Sequence, residues 1–417
     1  MTDRSGALED LAAFRLRARA WIARNLRPLE DTDWEPDETA RWQRTRRVQR
    51  TLFDGGFAGL CFPKEYGGQG LSGAYQRVFD EETAAYELPV LINVPTLGII
   101  APTILESGSE AQKKRYLPKI LSGEEVWVQF LSEPAGGSDL ASVITRATRS
   151  GDDFILNGSK VWSSGAYAAD YALCVARTNW DVPKHDGISV LIVKIDQPGV
   201  RVDRIVGVAG DREFCQEFFD DVRIPAENVV GPVDGGWSVV RGLLANERKS
   251  MGGGSIYVPG ARRTPTLRQA RAGARGLAEA TGTTGDPRVR QLVAEEHVLG
   301  IVFDHLSRHV AAGMATGHYP PPASALLRLM GARNGVRRTD IALEIAGSSA
   351  GAWRSGDPTG DAGLAFLGRQ GSELGGGSTE MQRNIISERL LEMPREYAAD
   401  RGVPFKDVSR NATPKRR

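Results

Sequence analysis

Cysteine is scarce: the 417 residues hold only 3, Cys61, Cys174 and Cys215, far apart and each inside an apolar or aromatic stretch. No C-x-x-C pair occurs, which argues against a disulfide framework or a thiolate metal site and leaves reduced core thiols as the expectation. Histidine is nearly as rare, at 5 residues. His305 and His309 stand four apart on an expected helix, but no third-ligand motif accompanies them, so no metal is expected. Net charge is almost absent: 53 basic and 52 acidic residues leave +1. A chain so balanced carries no basic footprint for nucleic acid or for an anionic membrane. Long hydrophobic runs are missing too, since no uncharged apolar window of roughly 18 residues exists. Asp3, Glu9 and Asp10 stand before the first apolar run, where a signal or transit peptide would have none. A cytoplasmic protein without a membrane span is expected.

What remains is enough for two or three packed domains, with 41% hydrophobic and 25% charged residues and 48 glycines. Leu8, Leu11, Ala12, Ala18, Trp21, Ile22 and Ala23 follow a helical period, and Trp42 to Phe53 continues it. A turn-rich loop at 62–70 interrupts, and a second helical tract runs from Tyr75 to Leu121. From about Glu125 the pattern changes to short β-branched and aromatic runs: 126–131, 154–156, 171–176 and 188–193 read as strands, with Asn157-Gly158 as a hairpin-type turn. Helical periodicity returns through Arg248, over 292–309, 323–345 and 381–391. The order α, β, α predicts an α+β protein and not a Rossmann alternation. The expected division is 1–124 helical, 125–232 β, 233–395 a helical bundle, and 396–417 a flexible basic tail ending in Lys415-Arg416-Arg417.

Five stretches carry a family resemblance, in order along almost the whole chain: FPKEYGGQGLS at 62–72, LSEPAGGSDL at 131–140, NGSKVWSSG at 157–165, FFDDVRIPAENVVG at 218–231 and GGGSTEMQRNIISERLL at 375–391. Together they resemble the acyl-CoA dehydrogenases, FAD flavoproteins that oxidise acyl-CoA thioesters. The resemblance implies that family's fold: an N-terminal helical domain, a middle β-barrel-like domain and a C-terminal four-helix bundle. It also implies FAD contacts from Phe130, Leu131, Ser132, Gly137 and Ser138, with Trp162 and Ser164 beside the isoalloxazine and Ser378 and Glu380 in the C-terminal segment. Ser138 and Arg248 are implied on the substrate side. On its own, EPAGGSD reads as a plain surface turn and Trp162 as a core residue; their pairing favours the flavin reading. Small residues in the loop would let backbone approach a ligand closely.

Dehydrogenation needs a base for the α-proton, an acceptor for the β-hydride and a donor that polarises the thioester carbonyl. The family places that donor on the backbone N–H of the segment matching Gly376. Many members carry the base in the same segment, as E-G-T, where this chain reads Gly376-Gly377-Ser378. Some relatives place it immediately before an arginine on the first helix of the C-terminal domain, which matches Glu247 in Asn246-Glu247-Arg248. Without that resemblance Glu247 would read as a solvated helix glutamate or as half of an ion pair with Arg248. Glu380 and Glu373 are reserves, Glu380 reading otherwise as a helix N-terminal carboxylate.

A second departure concerns the flavin diphosphate. Homotetrameric relatives grip it from the neighbouring subunit with R-x-x-F-G and Q-x-x-G-G-x-G. Here the matching stretches read YVPGARRTP at 257–265 and EIAGSSA at 344–350, with Arg262 or Arg263 as possible substitutes and Glu344 in place of glutamine. The chain therefore resembles the base-bearing subunit of actinobacterial α2β2 steroid side-chain dehydrogenases, with a paralogous subunit and an electron-transferring flavoprotein as implied partners. Another flavin enzyme of this fold, such as an acyl-CoA oxidase, and a non-catalytic subunit are the rival readings.

Overall fold

In the computed structural model, residues 9–29, 37–251, 255–258, 273–353 and 357–408 are described. They form two compact units, one from the described residues within 1–206, 212–262 and 396–417, the other from those within 207–211 and 263–395.

The first unit begins with α1 (Leu11–Asn25), capped by Asp10, α2 (Glu38–Asp54), capped by Asp37, and α3 (Gly73–Glu82). Phe14, Ala18 and Ile22 of α1, at helical spacing, share a core with Leu52, Phe57 and Phe79. A helical run follows as α4 (Val90–Ile92), a π-helix over Asn93–Ile100 and α5 (Ala101–Ser107), then α6 (Glu110–Leu121) opens on a Ser109–Gln112 capping box. Pro95 stands inside the π-helix and has no N–H for an α-type bond, a local reason for the widened turn.

Eight strands then build one mixed sheet in the order β6-β7-β3-β2-β4-β5-β8, with β1 (Trp127–Phe130) parallel to β4 (Tyr171–Arg177). The others are β2 (Arg146–Ser150), β3 (Asp153–Ser164), β5 (Ile188–Lys194), β6 (Val200–Arg204), β7 (Phe214–Pro225) and β8 (Val229–Val230). Asn157-Gly158 is not a hairpin turn. It lies inside β3 at a register shift, where Gly158 has φ 140° and Asn157 exchanges hydrogen bonds with Asp221 at 3.0 and 2.9 Å. The β2–β3 turn comes earlier, at Gly151 with φ 64°, where an L side chain would be strained.

Helix α7 (Gly236–Met251), the expected start of the C-terminal domain, packs in this first unit. Val239, Leu243, Asn246 and Ser250 form its buried stripe, with Val239 and Leu243 in one core with Trp127, Leu131 and Ile100. Residues 396–408 correct an expectation, because they dock on the sheet and are not a free tail. Phe405 is buried 3.7 Å under the Arg177 guanidinium, its N–H bonds Val182 O at 2.8 Å, and Lys184 reaches Asp400 at 2.6 Å. Lys415-Arg416-Arg417 lies outside the described residues.

The second unit holds α8 (Ala274–Ala280), α9 (Pro287–Ala315), α10 (Ser324–Ala346), α11 (Pro358–Gly368), α12 (Gly371–Leu374) and α13 (Thr379–Ile385). Its core gathers Leu277, Val289, Leu292, Ile341 and Ile345. Among the described residues no helix is long and apolar enough to cross a membrane, and no His, Cys, Asp and Glu cluster could hold a metal. His309 instead bonds the Tyr319 hydroxyl at 2.8 Å. Cys61, Cys174 and Cys215 are free thiols, and burial pushes Cys174 up to about 12.

Candidate active site

Strand β1 is fixed from two sides. It pairs with β4 along Trp127↔Tyr171 to Phe130↔Cys174, and Thr96 of the π-helix donates to Trp127 O at 2.7 Å while accepting from Trp127 N at 3.1 Å. Phe130 is fully buried against Phe219, so its contribution to any ligand would come from backbone. Beyond it the chain leaves the sheet through Leu131 and Ser132 into the loop Glu133–Asp139, whose tip is exposed.

A buried ion pair holds that loop. Lys160 donates to Glu133 at 2.8 Å and to Leu131 O at 2.9 Å, and Glu133 also accepts from Ile144 N at 2.7 Å and Thr145 N at 2.9 Å. Burial opposes the charge on Glu133, yet Lys160 and these amides hold its carboxyl below the usual range. The turn Glu133–Gly136 closes with backbone bonds of 3.0 and 2.9 Å. A Cβ on Gly137 would come 3.3 Å from Ser132 Oγ. Ser138 sits exposed beside it.

Trp162 is the conformational outlier of this face. It has φ 67°, occupies the register shift between Val161 and Ser163, and leaves its ring 59% exposed with Phe214 edge-on at 5.9 Å. A bulky residue in the left-handed region costs on the order of 1–3 kcal/mol, and such strain gathers at ligand sites. Trp162 is therefore not a core residue. The bulge turns a flat aromatic surface outwards beside the half-buried Ser164. An exposed indole, a glycine loop braced from below and a buried strand end are what a flat aromatic cofactor needs. Leu131, Ser132, Trp162 and Ser164 are the residues fit to hold an isoalloxazine.

Beneath Trp162 lies a pair that the motifs did not signal. Ser163 donates to Glu217 at 3.1 Å, and Glu217 is fully buried with its other oxygen lacking a hydrogen-bond partner among the described residues. Burial pushes the Glu217 carboxyl up to about 7, from an ordinary 4.5. The folded protein thus keeps a proton that the unfolded chain has already released. Its contribution to stability is fully present below pH 4.5, falls as pH rises, and is gone above about 7. The loss amounts to about 3 kcal/mol. Glu217→Gln should flatten this slope between pH 5 and 8, read as the denaturation midpoint. Parallel pH dependences in both proteins would show that Glu217 ionises as freely folded as unfolded.

Glu247, the sequence candidate for the base, is half-buried on α7 and accepts from Gln129 Nε2 at 3.1 Å. That contact joins α7 to β1 one residue before Phe130. Neighbouring positions are pinned: Asn246 reaches Glu106 at 3.3 Å, and Ser250 donates to Gly98 O at 2.9 Å. A Cβ on Gly98 would fall 2.4 Å from Ser250 Oγ, so only glycine allows this approach of the π-helix to α7. Arg248 is half-buried. The structure thus brings Glu247 together with β1, while Gln129 and Lys160 were missed by sequence reasoning. Gln129 did leave a signal, as the single polar residue of VWVQFL.

Gly376, Ser378 and Glu380 belong to the second unit. Gly376 and Gly377 have φ 68° and 87°, and Ser378 caps α13 by accepting from Met381 N at 3.3 Å. Glu380 is exposed in the first turn of α13 and pairs with Arg383 at 3.3 Å, as a helix N-terminal carboxylate does. Glu373 is half-buried on α12. Glu344 bonds Arg288 at 2.8 Å and Arg337 at 3.1 Å, and Arg288 first, then Arg337, holds its carboxyl below the usual range. Arg262 and Arg263 lie outside the described residues, as do the glycines 252–254.

Three family models match: the acyl-CoA dehydrogenase N-terminal domain over residues 9–124, middle domain over 129–222 and C-terminal domain over 234–391. Acyl-CoA dehydrogenase IpdE1 of Mycobacterium tuberculosis is 33% identical over 399 residues, spanning 93% of this chain and 99% of its own. The solved Tcur3481-Tcur3483 steroid ACAD is similar with TM-score 0.73 and 30% identity, covering 93% of this chain and 99% of that one. The ChsE4-ChsE5 complex from Mycobacterium tuberculosis gives TM-score 0.72 and 28% identity, with 94% and 100% covered.

Proposed function

Since this chain belongs to the acyl-CoA dehydrogenase family, whose members are FAD-dependent oxidoreductases of acyl-CoA thioesters, we propose that it oxidises an acyl-CoA to the 2,3-enoyl-CoA with Glu247 as base. The observation that carries this reading is the Gln129–Glu247 contact, which sets a carboxylate beside the strand leading into Phe130, Leu131 and Ser132. Glu247 takes the α-proton, leaving the electron pair that becomes the new C=C bond. FAD, when bound, accepts the β-hydrogen as hydride and so the two electrons. Phe130, through its backbone, and Leu131, Ser132, Gly137, Ser138, Trp162, Ser164, Ser378 and Glu380 are assigned to the flavin, and Ser138 and Arg248 to the substrate. The Gly376 N–H is assigned to the thioester carbonyl, whose polarisation acidifies the α-carbon.

The acyl group is of the steroid side-chain class, in keeping with the name steroid ACAD borne by the Tcur3481-Tcur3483 relative. Electrons leave to an electron-transferring flavoprotein. The working enzyme pairs this chain with a paralogous subunit, as ChsE4 with ChsE5. An apolar stripe on α9 supports such a partner: Val298, Ile301 and Val302 are 54%, 44% and 46% exposed. The test is anaerobic addition of a steroid side-chain acyl-CoA, which should bleach the flavin absorbance and yield the enoyl thioester. Turnover that consumes oxygen and ignores the flavoprotein acceptor would instead make the protein an oxidase.

A further inference from the structure

Gln129 occupies a position that packing alone does not explain. Side chains of β1 alternate between two cores, Val128 and Phe130 facing one lined by strands, Trp127 and Leu131 facing one shared with helices. Gln129 falls on the helix-facing side, where its neighbours are apolar. Its Nε2 donates to Glu247 Oε2 at 3.1 Å, yet its own Oε1 is buried without a hydrogen-bond partner among the described residues. A buried amide left half satisfied is uncommon and calls for a reason. Its root cannot drift, because Gln129 pairs with Leu173 of β4 and the backbone of Trp127, two residues before, is clamped by Thr96.

We propose that Gln129 is a positioning residue that serves both protonation states of Glu247, an inference that rests on the proposed role of Glu247 as base. Its N–H holds the ionised carboxylate beside the flavin-binding strand. Once a carboxyl oxygen has taken the α-proton, the same amide, turned over about its terminal bond, offers Oε1 to the new O–H. Only the proton moves from carbon to carboxylate; the amide exchanges donation for acceptance and is unchanged chemically. No other uncharged side chain of this length donates and accepts equally well. The charged groups on the elements around α7 are Glu106 of α5, engaged by Asn246, and Lys194 at the exposed end of β5, with the exposed Arg241 and Lys249 and the half-buried Arg248 on α7 itself. The π-helix NVPTLGII has none.

The experiment compares Gln129→Met and Gln129→Glu with the parent in the flavin-loaded enzyme. Methionine keeps the length and removes the donor, so kcat should fall roughly tenfold to a hundredfold while KM changes little. The acidic limb of kcat/KM should move to higher pH by up to about one unit, because of the two bonds lost the charge-assisted one to the ionised base is the stronger. Gln129→Glu should move it further through like-charge repulsion. A lost packing contact would lower the denaturation midpoint without moving that limb. Flavin-loaded variants with an unshifted limb overturn the positioning role, and either variant suffices if the other does not hold flavin. Should Glu247→Gln itself remain active, the base assignment fails instead, whatever the Gln129 variants show.

Discussion

Glu247→Gln is expected to lower turnover by roughly two to four orders of magnitude, the usual worth of a positioned general base. Glutamine keeps the shape and still accepts from Gln129, so α7 and β1 should stay joined. The flavin absorbance should therefore persist while its bleaching by acyl-CoA becomes slow. That combination separates a lost base from a lost fold. It also separates the two carboxylates closest to the family pattern: Glu380, exposed and paired with Arg383, should tolerate the same change with a far smaller loss. Near parental turnover from Glu247→Gln would remove the base assignment and favour a chain that supports an active paralogue.

The fold was legible where local pattern and burial agree. Strands 171–176 and 188–193 are near-continuous apolar runs, and they became β4 and β5, buried along all but one end residue of each. Asn157-Gly158 misled because asparagine-glycine chemistry suits a bulge as well as a turn. What decided between them was the pairing of β3 with β7, some 60 residues on, which no local window contains. The tail misled for a similar reason. Its basic end dominates the composition, while Phe405 finds Arg177 and Trp180 only in three dimensions. At the site, motifs marked the loop and Trp162 but not what braces them. Lys160 and Glu133 lie 27 residues apart, and Ser163 and Glu217 54 apart, so these partnerships are written in register and not in spacing.

Expressed alone, the chain should be poorly soluble or nearly colourless; co-expressed with a paralogous dehydrogenase subunit, it should give a yellow complex with about one flavin per pair of chains. The reason lies in the segments that homotetrameric relatives extend to a neighbour's flavin diphosphate. One, 257–265, lacks the F-G of that pattern. The other begins at Glu344, where a carboxylate replaces the amide, and Arg288 and Arg337 hold that carboxylate in its charged form. A standing negative charge repels a diphosphate, and the two guanidiniums beside it are already engaged by carboxylates, Arg337 also by Glu295 at 2.6 Å. Two separate losses at one ligand fit the release of a single shared constraint. The exposed Val298, Ile301 and Val302 stripe on α9 adds an uncovered apolar face, a cause of poor solubility in an isolated subunit. Size-exclusion chromatography with flavin quantified against protein measures both quantities at once. A homotetramer purified alone, with one flavin in every subunit and activity on an acyl-CoA, would show that Arg262 or Arg263 supplies the grip and that no partner is needed.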